Sequence, residues 1–253
     1  MEFEWYIYAL AIFGGLIAGF INTIAGSGSL ITLPILIFLG LPANIANGTN
    51  RVGILLQSLV GSYTLKKQEN LSLQGSGWLI IPSIIGAIAG SIISIDVDER
   101  TLQTIIGIIM ILMLIPILLN SNWSNEKNEQ STKHKGFLSV LIFFLIGIYG
   151  GFIQAGVGVL MLTGMVSYAK YSVNHANMLK NLIVFCYTVP VIAVFIWSDQ
   201  IDWKMGGLLA IGQVTGAWIA ANFATQFKDA GKWIRILLII IIVVSIIKLF
   251  NII

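Results

Sequence analysis

Ten apolar runs separated by short polar breaks dominate the hydrophobicity pattern of this chain. An α-helix rises about 1.5 Å per residue and the hydrocarbon core of a bilayer is about 30 Å thick, so about 20 apolar residues can cross it. The pattern therefore predicts an all-α integral membrane protein. Its predicted segments are Trp5–Ala25, Leu30–Leu41, Ile45–Leu65, Gly75–Ile95, Leu102–Leu119, Phe137–Gln154, Val159–Ala169, Asn174–Trp197, Trp203–Ala224 and Trp233–Phe250.

The second run of each half is too short to cross a membrane. About twelve helical residues span only ~18 Å. Each of these runs follows a Gly-rich break, and the first contains Pro34. We expect a broken or re-entrant short helix in each half, because irregular backbone at membrane depth survives only where it packs in protein or faces a polar cavity.

The chain repeats itself at an offset of 130 residues. Gly26 and Gly28 match Gly156 and Gly158, and later matches include Asn47 with Asn177. Repeated apolar halves with Gly- and Asn-rich breaks are typical of secondary transporters. The repeat predicts a first transmembrane repeat at residues 1–119, a polar linker at 120–135 and a second repeat at 136–253. Within the fourth helices, Gly86-x-x-x-Gly90 and Gly216 are expected to allow close packing.

The low charge content indicates a lipid environment, and the charges of the loops predict an orientation. Only 10% of the residues are charged and 57% are hydrophobic, whereas a soluble domain has about 25% charged residues. Basic loops are normally cytoplasmic. The loop charges therefore predict a plasma-membrane protein with both termini outside the cell and the linker in the cytoplasm. Each repeat then makes an odd number of net crossings, so that the two repeats are inverted. The net charge of +3 resides mostly in loops, and we expect lipid rather than nucleic acid as a partner.

The run from Gly14 to Tyr63 resembles the signature of the sulfite exporter TauE/SafE family of membrane transporters. The features that carry the resemblance are a Gly-rich helix, a G-x-G-S/G break, a proline in a short apolar run, Gly-Leu-Pro and Ala-x-Gly-Thr. The resemblance implies transport of a small sulfur-containing anion: sulfite, a sulfonate, thiosulfate or a thiolated organic acid. The second half departs from the first, with Met178-Leu179-Lys180 in place of Gly48-Thr49-Asn50.

The Gly-rich breaks are the first candidate site. Gly26, Ser27, Gly28 and Ser29 precede the first short helix, and Gly156 and Gly158 precede the second. Glycine permits close approach of a ligand to free backbone N–H groups, and a helix N-terminus attracts an oxyanion. We expect Ser27 or Ser29 to cap the short helix. The alternative is tight helix packing through small residues.

Polar clusters at the start of each third helix are the second candidate site. The predicted substrate-binding residues there are Asn47, Thr49, Asn50 and Arg51 in the first half and Asn177, Lys180 and Asn181 in the second. Two cations with their amides, related by a pseudo-two-fold axis, are predicted to enclose one small anion near the midplane. The alternatives are amides that cap helices and cations that extend to the lipid headgroups.

Further amides extend this candidate site. Asn22 and Gln154 occupy matching places before the two breaks, where they bind cargo or satisfy the broken backbone. Gln57 is a lesser candidate to contact cargo, and Gln213 is the equivalent residue on a fourth helix.

Other function classes remain as alternatives. The fold also suits an anion channel, a non-transporting membrane subunit or, with Ser27 and His175 as a dyad, an intramembrane serine protease. The sequence predicts neither an enzyme nor a cofactor. A metal site is not predicted either, because His, Cys and carboxylates do not occur at ligand spacing. No Asp or Glu lies inside a predicted span, so coupling through an intramembrane carboxylate is not expected. A homo-oligomer is left open.

Overall fold

A computed structural model describes residues 5–69, 77–119, 136–169, 171–223 and 230–250, and all regular structure in these ranges is helical. The predicted linker at 120–135 and both chain ends lie outside the described residues. The helices are α1 Trp5–Ala25, α2 Ser29–Phe38, α3 Ala43–Glu69, α4 Gly77–Ile95, α5 Glu99–Leu119, α6 Phe137–Phe152, α7 Val157–Thr163, α8 Val173–Trp197, α9 Trp203–Phe223 and α10 Ala230–Leu249, with a π-helical turn at Gly164–Tyr168 after α7.

The predicted membrane character and the two short helices are confirmed. By length and composition α1, α4 and α8 can each span a membrane. The second helix of each half is short, with 10 residues in α2 and 7 in α7. Large apolar side chains are exposed on the outer helix faces, as lipid contact requires; on α4 these are Ile81, Ile85, Ile92 and Ile93.

Both breaks turn at a glycine in the left-handed region. Gly26 has φ 72° and Gly156 has φ 70°, and the two residues are 130 positions apart. Residues with a Cβ rarely adopt this conformation, which explains why glycine occupies both places. The N–H of Gly26 donates to the carbonyl of Asn22 at 2.9 Å and closes the last turn of α1.

Glycines bring two helix pairs into backbone contact. Helix α1 packs along α9, and α4 packs along α6. A methyl group at Gly216 would lie 2.8 Å from the backbone nitrogen of Phe20, and one at Gly86 would lie 2.9 Å from that of Ile148. The close packing expected at Gly86, Gly90 and Gly216 is confirmed. The glycines that bring these two helix pairs into backbone contact form four G-x-x-x-G pairs: Gly15 and Gly19, Gly86 and Gly90, Gly147 and Gly151, Gly212 and Gly216.

Helices α3 and α8 run antiparallel. A Cβ at Gly48, near the start of α3, would lie 3.0 Å from Phe195 near the end of α8. A Cβ at Gly61, in the second half of α3, would lie 3.4 Å from Asn181, two turns into α8. Exchange of the two halves converts the α1–α9 pair into the α6–α4 pair and α3 into α8. This is the pairing that two inverted repeats require, and their orientation in the bilayer remains a prediction.

Candidate functional site

The two breaks lie directly against each other. A methyl group at Gly26 would lie 2.5 Å from the carbonyl carbon of Gly158, so neither position has room for a side chain. Beside this contact the hydroxyl of Ser29 donates to the carbonyl of Gln154 at 2.8 Å. The contact joins the halves through backbone at the point where each first helix has ended.

The expected serine cap of α2 is wrong. The residue before α2 is Gly28, and no side chain caps the helix. The Ser29 hydroxyl is bound by the opposite break, and the buried Ser27 hydroxyl has no hydrogen-bond partner. Since Ser27 makes no hydrogen bond, it also forms no nucleophile–base pair with His175, and the protease dyad is not assembled.

Arg51 is fully buried and binds the end of α6. Its Nη1 donates to the carbonyl of Gly150 at 2.5 Å and to Oε1 of Gln154 at 2.7 Å. Its Nη2 donates to the carbonyl of Gly151 at 2.9 Å. The guanidinium also lies 5.3 Å from the ring centroid of Phe195. A cation at a helix C-terminus is stabilised by the unpaired carbonyls and by the helix dipole. The Nε–H of Arg51 is buried without a partner.

Lys180 binds the end of α1 in the same way. It is 1% exposed, and its Nζ donates to the carbonyl of Asn22 at 2.7 Å and to that of Thr23 at 3.2 Å. Each half therefore supplies a cation to the broken helix of the other half. Because Arg51 and Lys180 are both buried, the alternative in which they extend to lipid headgroups is wrong.

An asparagine orients each cation. Oδ1 of Asn47 accepts from Arg51 at 3.2 Å, and Oδ1 of Asn177 accepts from Lys180 at 2.8 Å. The two asparagines match in the repeat and have matching partners. We call Asn47, Arg51 and Gln154 the Arg51 half-site, and Asn22, Asn177 and Lys180 the Lys180 half-site.

The two cations belong to different levels of the α3–α8 pair. Arg51 lies beside Phe195, whereas Asn181, the neighbour of Lys180, lies beside Gly61. Ten residues of α3 separate these levels, which is about 15 Å of helix. Each half-site contains one positive charge, and a single anion enclosed by both cations remains a prediction.

The remaining predicted residues divide between structural bonds and unpaired polar atoms. Asn22 accepts from the N–H of Gly28 at 3.3 Å, and Gln154 donates to Tyr187 at 2.6 Å, so both amides satisfy the broken region. Thr49 accepts from the N–H of Asp202 at 2.9 Å and holds the α8–α9 connection. Asn181 donates to the carbonyl of Asn177 at 2.9 Å. Asn50 and Gln57 are buried and keep unpaired polar atoms.

Several residues at the site were not predicted from the sequence. Tyr187 and Phe195 on α8 are buried against Gln154 and Arg51, and Ser94 on α4 accepts from Asn47 at 3.0 Å. An aromatic hydroxyl in the middle of an apolar span was the available signal for Tyr187, since such a group needs a buried partner. Phe195 and Ser94 have no comparable signal.

The site concentrates positive charge. Among the described residues, the buried polar side chains include Arg51 and Lys180 but no Asp or Glu. The described residues also contain no cluster of His, Cys, Asp and Glu that could hold a metal ion. Carbonyl oxygens, and for Arg51 the Phe195 ring, offset the two charges, so an incoming small anion would meet cations that no buried carboxylate of the described residues neutralises.

Comparison with known proteins identifies the family. The profile described as "Sulfite exporter TauE/SafE" matches residues 11–249. A "Probable membrane transporter protein ORF9" from Sinorhizobium sp is 26% identical over 249 residues, covering 98% of this chain and 94% of the relative. The "Probable membrane transporter protein YfcA" of Escherichia coli K12 is 24% identical over 244 residues, covering 96% and 89%. The Bacillus subtilis "Probable membrane transporter protein YdhB" is 24% identical over 213 residues, covering 83% and 85%.

No solved structure matches this chain. The relatives are named as membrane transporters and not as enzymes. With helices that can span a bilayer and a profile match over nearly its whole length, this multi-pass membrane protein belongs to the sulfite exporter TauE/SafE family.

Proposed function

We propose that this protein carries small, sulfur-containing anions across the plasma membrane. The observation that supports the proposal most strongly is the burial of Arg51 and Lys180 without any buried carboxylate among the described residues. A buried charge in a membrane protein is expensive and usually marks a functional site. The family name, which refers to sulfite, favours a sulfur oxyanion over other anions.

The mechanism we propose uses the half-sites in turn. In this proposal the close backbone contact of Gly26 with Gly158 is the barrier between the two half-sites. When one repeat rocks against the other, this contact opens, and the anion exchanges one cation's contacts for those of the next. The carbonyls that bind each cation are the groups that the anion would replace.

Anion export needs no coupling ion in this scheme. An inside-negative potential favours the outward movement of an anion by about 2.3 kcal/mol per charge for every 100 mV. The buried polar side chains of the described residues contain no carboxylate that could carry a coupled proton or sodium ion. Efflux or facilitated exchange is therefore the direction that we favour.

The proposal is tested by flux into proteoliposomes. Purified protein is offered sulfite, thiosulfate, a sulfonate, a thiolated acid and a simple carboxylate, each over a range of concentrations. We expect saturable flux of a sulfur oxyanion. Flux that rises linearly without saturation would favour the channel alternative, and no flux with any anion would contradict the transporter proposal.

A further inference from the structure

Three buried amides lie around Gly53, between α3 and α9. Asn50 is 0%, Gln213 1% and Gln57 2% exposed. Asn50 and Gln57 are seven residues apart and share one face of α3, with Gly53 between them. A methyl group at Gly53 would lie 2.8 Å from Cδ of Gln213, so the Gln213 side chain extends over this glycine toward Asn50. We call Asn50, Gln57 and Gln213 the amide trio.

The amide trio is incompletely hydrogen-bonded. Gln213 Nε2 donates to Asn50 Oδ1 at 3.4 Å. Asn50 Nδ2, Gln213 Oε1 and Gln57 Oε1 are buried without partners. Two amides joined by a single hydrogen bond leave one NH₂ and one carbonyl unpaired, whichever way each amide is turned. A ligand that satisfies the pair must therefore offer an acceptor and a donor together.

We propose that the amide trio is a binding subsite for the cargo and that it selects an oxyanion that carries one proton. An anionic oxygen would accept from the free amide NH₂, and the O–H group would donate to a free amide carbonyl. A fully deprotonated anion offers only acceptors and would leave both carbonyl oxygens unpaired, at a cost in free energy. This inference rests on the proposed function, because it concerns the same cargo.

The surrounding charge also suits a monoanion. Arg51, the next residue on α3, turns its guanidinium toward Gly150 and Gly151, and Lys180 on α8 binds the end of α1. Tyr187 is the buried titratable hydroxyl on α8, and it binds Gln154. The buried polar side chains of the described parts of α1 and α9 are uncharged. No buried carboxylate of these described helices repels an anion in the amide trio, and Arg51, the residue next to Asn50, carries only one positive charge.

A surface cleft lies farther along the same two helices, α3 and α9. It has a volume of about 340 Å³ and lies between the last turns of α3 and α9. Its residues are Tyr63, Thr64, Lys67, Trp218 and Asn222. Tyr63 follows Gln57 by six residues of α3, or about 9 Å. The exposed Lys67 adds positive charge at this cleft.

The test compares two probes of one shape. Methylphosphonate, below its second pKa, is a monoanion with one O–H; methanesulfonate is a monoanion of the same geometry with none. Binding of each to the purified protein is measured by titration calorimetry at one pH. We expect methylphosphonate to bind about fivefold or more tightly, the value of one buried hydrogen bond.

Three variants locate this preference. Gln213→Leu and Asn50→Leu remove an amide, and Gly53→Ala displaces the Gln213 side chain without deleting it. Each should lower methylphosphonate affinity to that of methanesulfonate. Gln103→Leu is the matched control, because Gln103 on α5 bonds the carbonyl of Leu249 at 3.3 Å, away from the trio; it should keep the preference.

Equal affinity of the two probes for the parent protein would overturn the inference while leaving anion transport intact. A preference that survives in all three variants would also overturn it, since the O–H would then be bound elsewhere. If neither probe binds and no anion is transported, the inference and the proposed function fail together.

Discussion

Arg51 on α3 donates to the side chain of Gln154 at 2.7 Å, which anchors a cation of the first half in the break of the second half. The reciprocal bond runs from Lys180 on α8 to the carbonyl of Asn22 at 2.7 Å. Each cation thus binds backbone carbonyls at the end of a helix that stops inside the protein. The same residues that we propose for anion binding therefore also stabilise this arrangement of the halves.

Removal of the Arg51 charge should destabilise the fold. Arg51→Met leaves the carbonyls of Gly150 and Gly151 and the side chain of Gln154 without their donor. The expected loss in free energy of unfolding is about 1–3 kcal/mol for each buried acceptor left unpaired. Thermal unfolding of the purified protein measures it. Arg100→Met on the exposed face of α5 is the control, and an equal melting temperature for both variants would show that Arg51 has no such capping role.

A side chain at the contact between the breaks should be disruptive. Gly26→Ala puts a methyl group 2.5 Å from the carbonyl carbon of Gly158 and forces alanine to φ 72°. The left-handed conformation alone costs roughly 1–2 kcal/mol. We expect a lower melting temperature and impaired flux. Gly77→Ala, where nothing lies within 4 Å, should lower neither. Tolerance of Gly26→Ala would mean that the breaks do not touch.

Two glycines of α9 should respond to alanine in opposite directions. A methyl group at Gly216 would lie 2.8 Å from the backbone of Phe20, and overpacking of this kind costs roughly 1–3 kcal/mol. A methyl group at Gly207 meets nothing within 4 Å, and replacement of a helical glycine by alanine gains up to ~1 kcal/mol. The melting temperature should therefore fall in Gly216→Ala and rise in Gly207→Ala. A rise in both would contradict close α1–α9 packing.

Local features of the sequence were sufficient to predict the helices and the breaks. Apolar length predicted α1 at the bounds observed, and the repeat predicted that Gly26 and Gly156 would be equivalent. The partners of the cations were not predictable in this way. Arg51 and Lys180 each bind two backbone carbonyls, about 100 and 157 positions away in the chain, and a backbone carbonyl has no residue signature.

The different levels of Arg51 and Lys180 along the α3–α8 pair were not predicted, for a related reason. Their places in the repeat are adjacent, which suggests a shared cavity. Their distance depends instead on the register in which α3 and α8 pack, and that register is set by contacts such as Gly61 with Asn181. The amide pair of Asn50 and Gln213 likewise joins two helices that are far apart in the sequence.

The measurement that tests the central claim most directly is saturable sulfite flux in proteoliposomes that contain equal amounts of folded protein. Arg51→Gln and Lys180→Gln are compared with Arg51→Lys and Lys180→Arg, and Lys204→Gln, on an exposed position, is the control for a lost surface charge. Because one anion visits both half-sites, we predict that either glutamine variant loses flux, that the charge-conserving variants retain part of it and that the control retains all of it. Undiminished flux in both glutamine variants would contradict an anion pathway through the two buried cations.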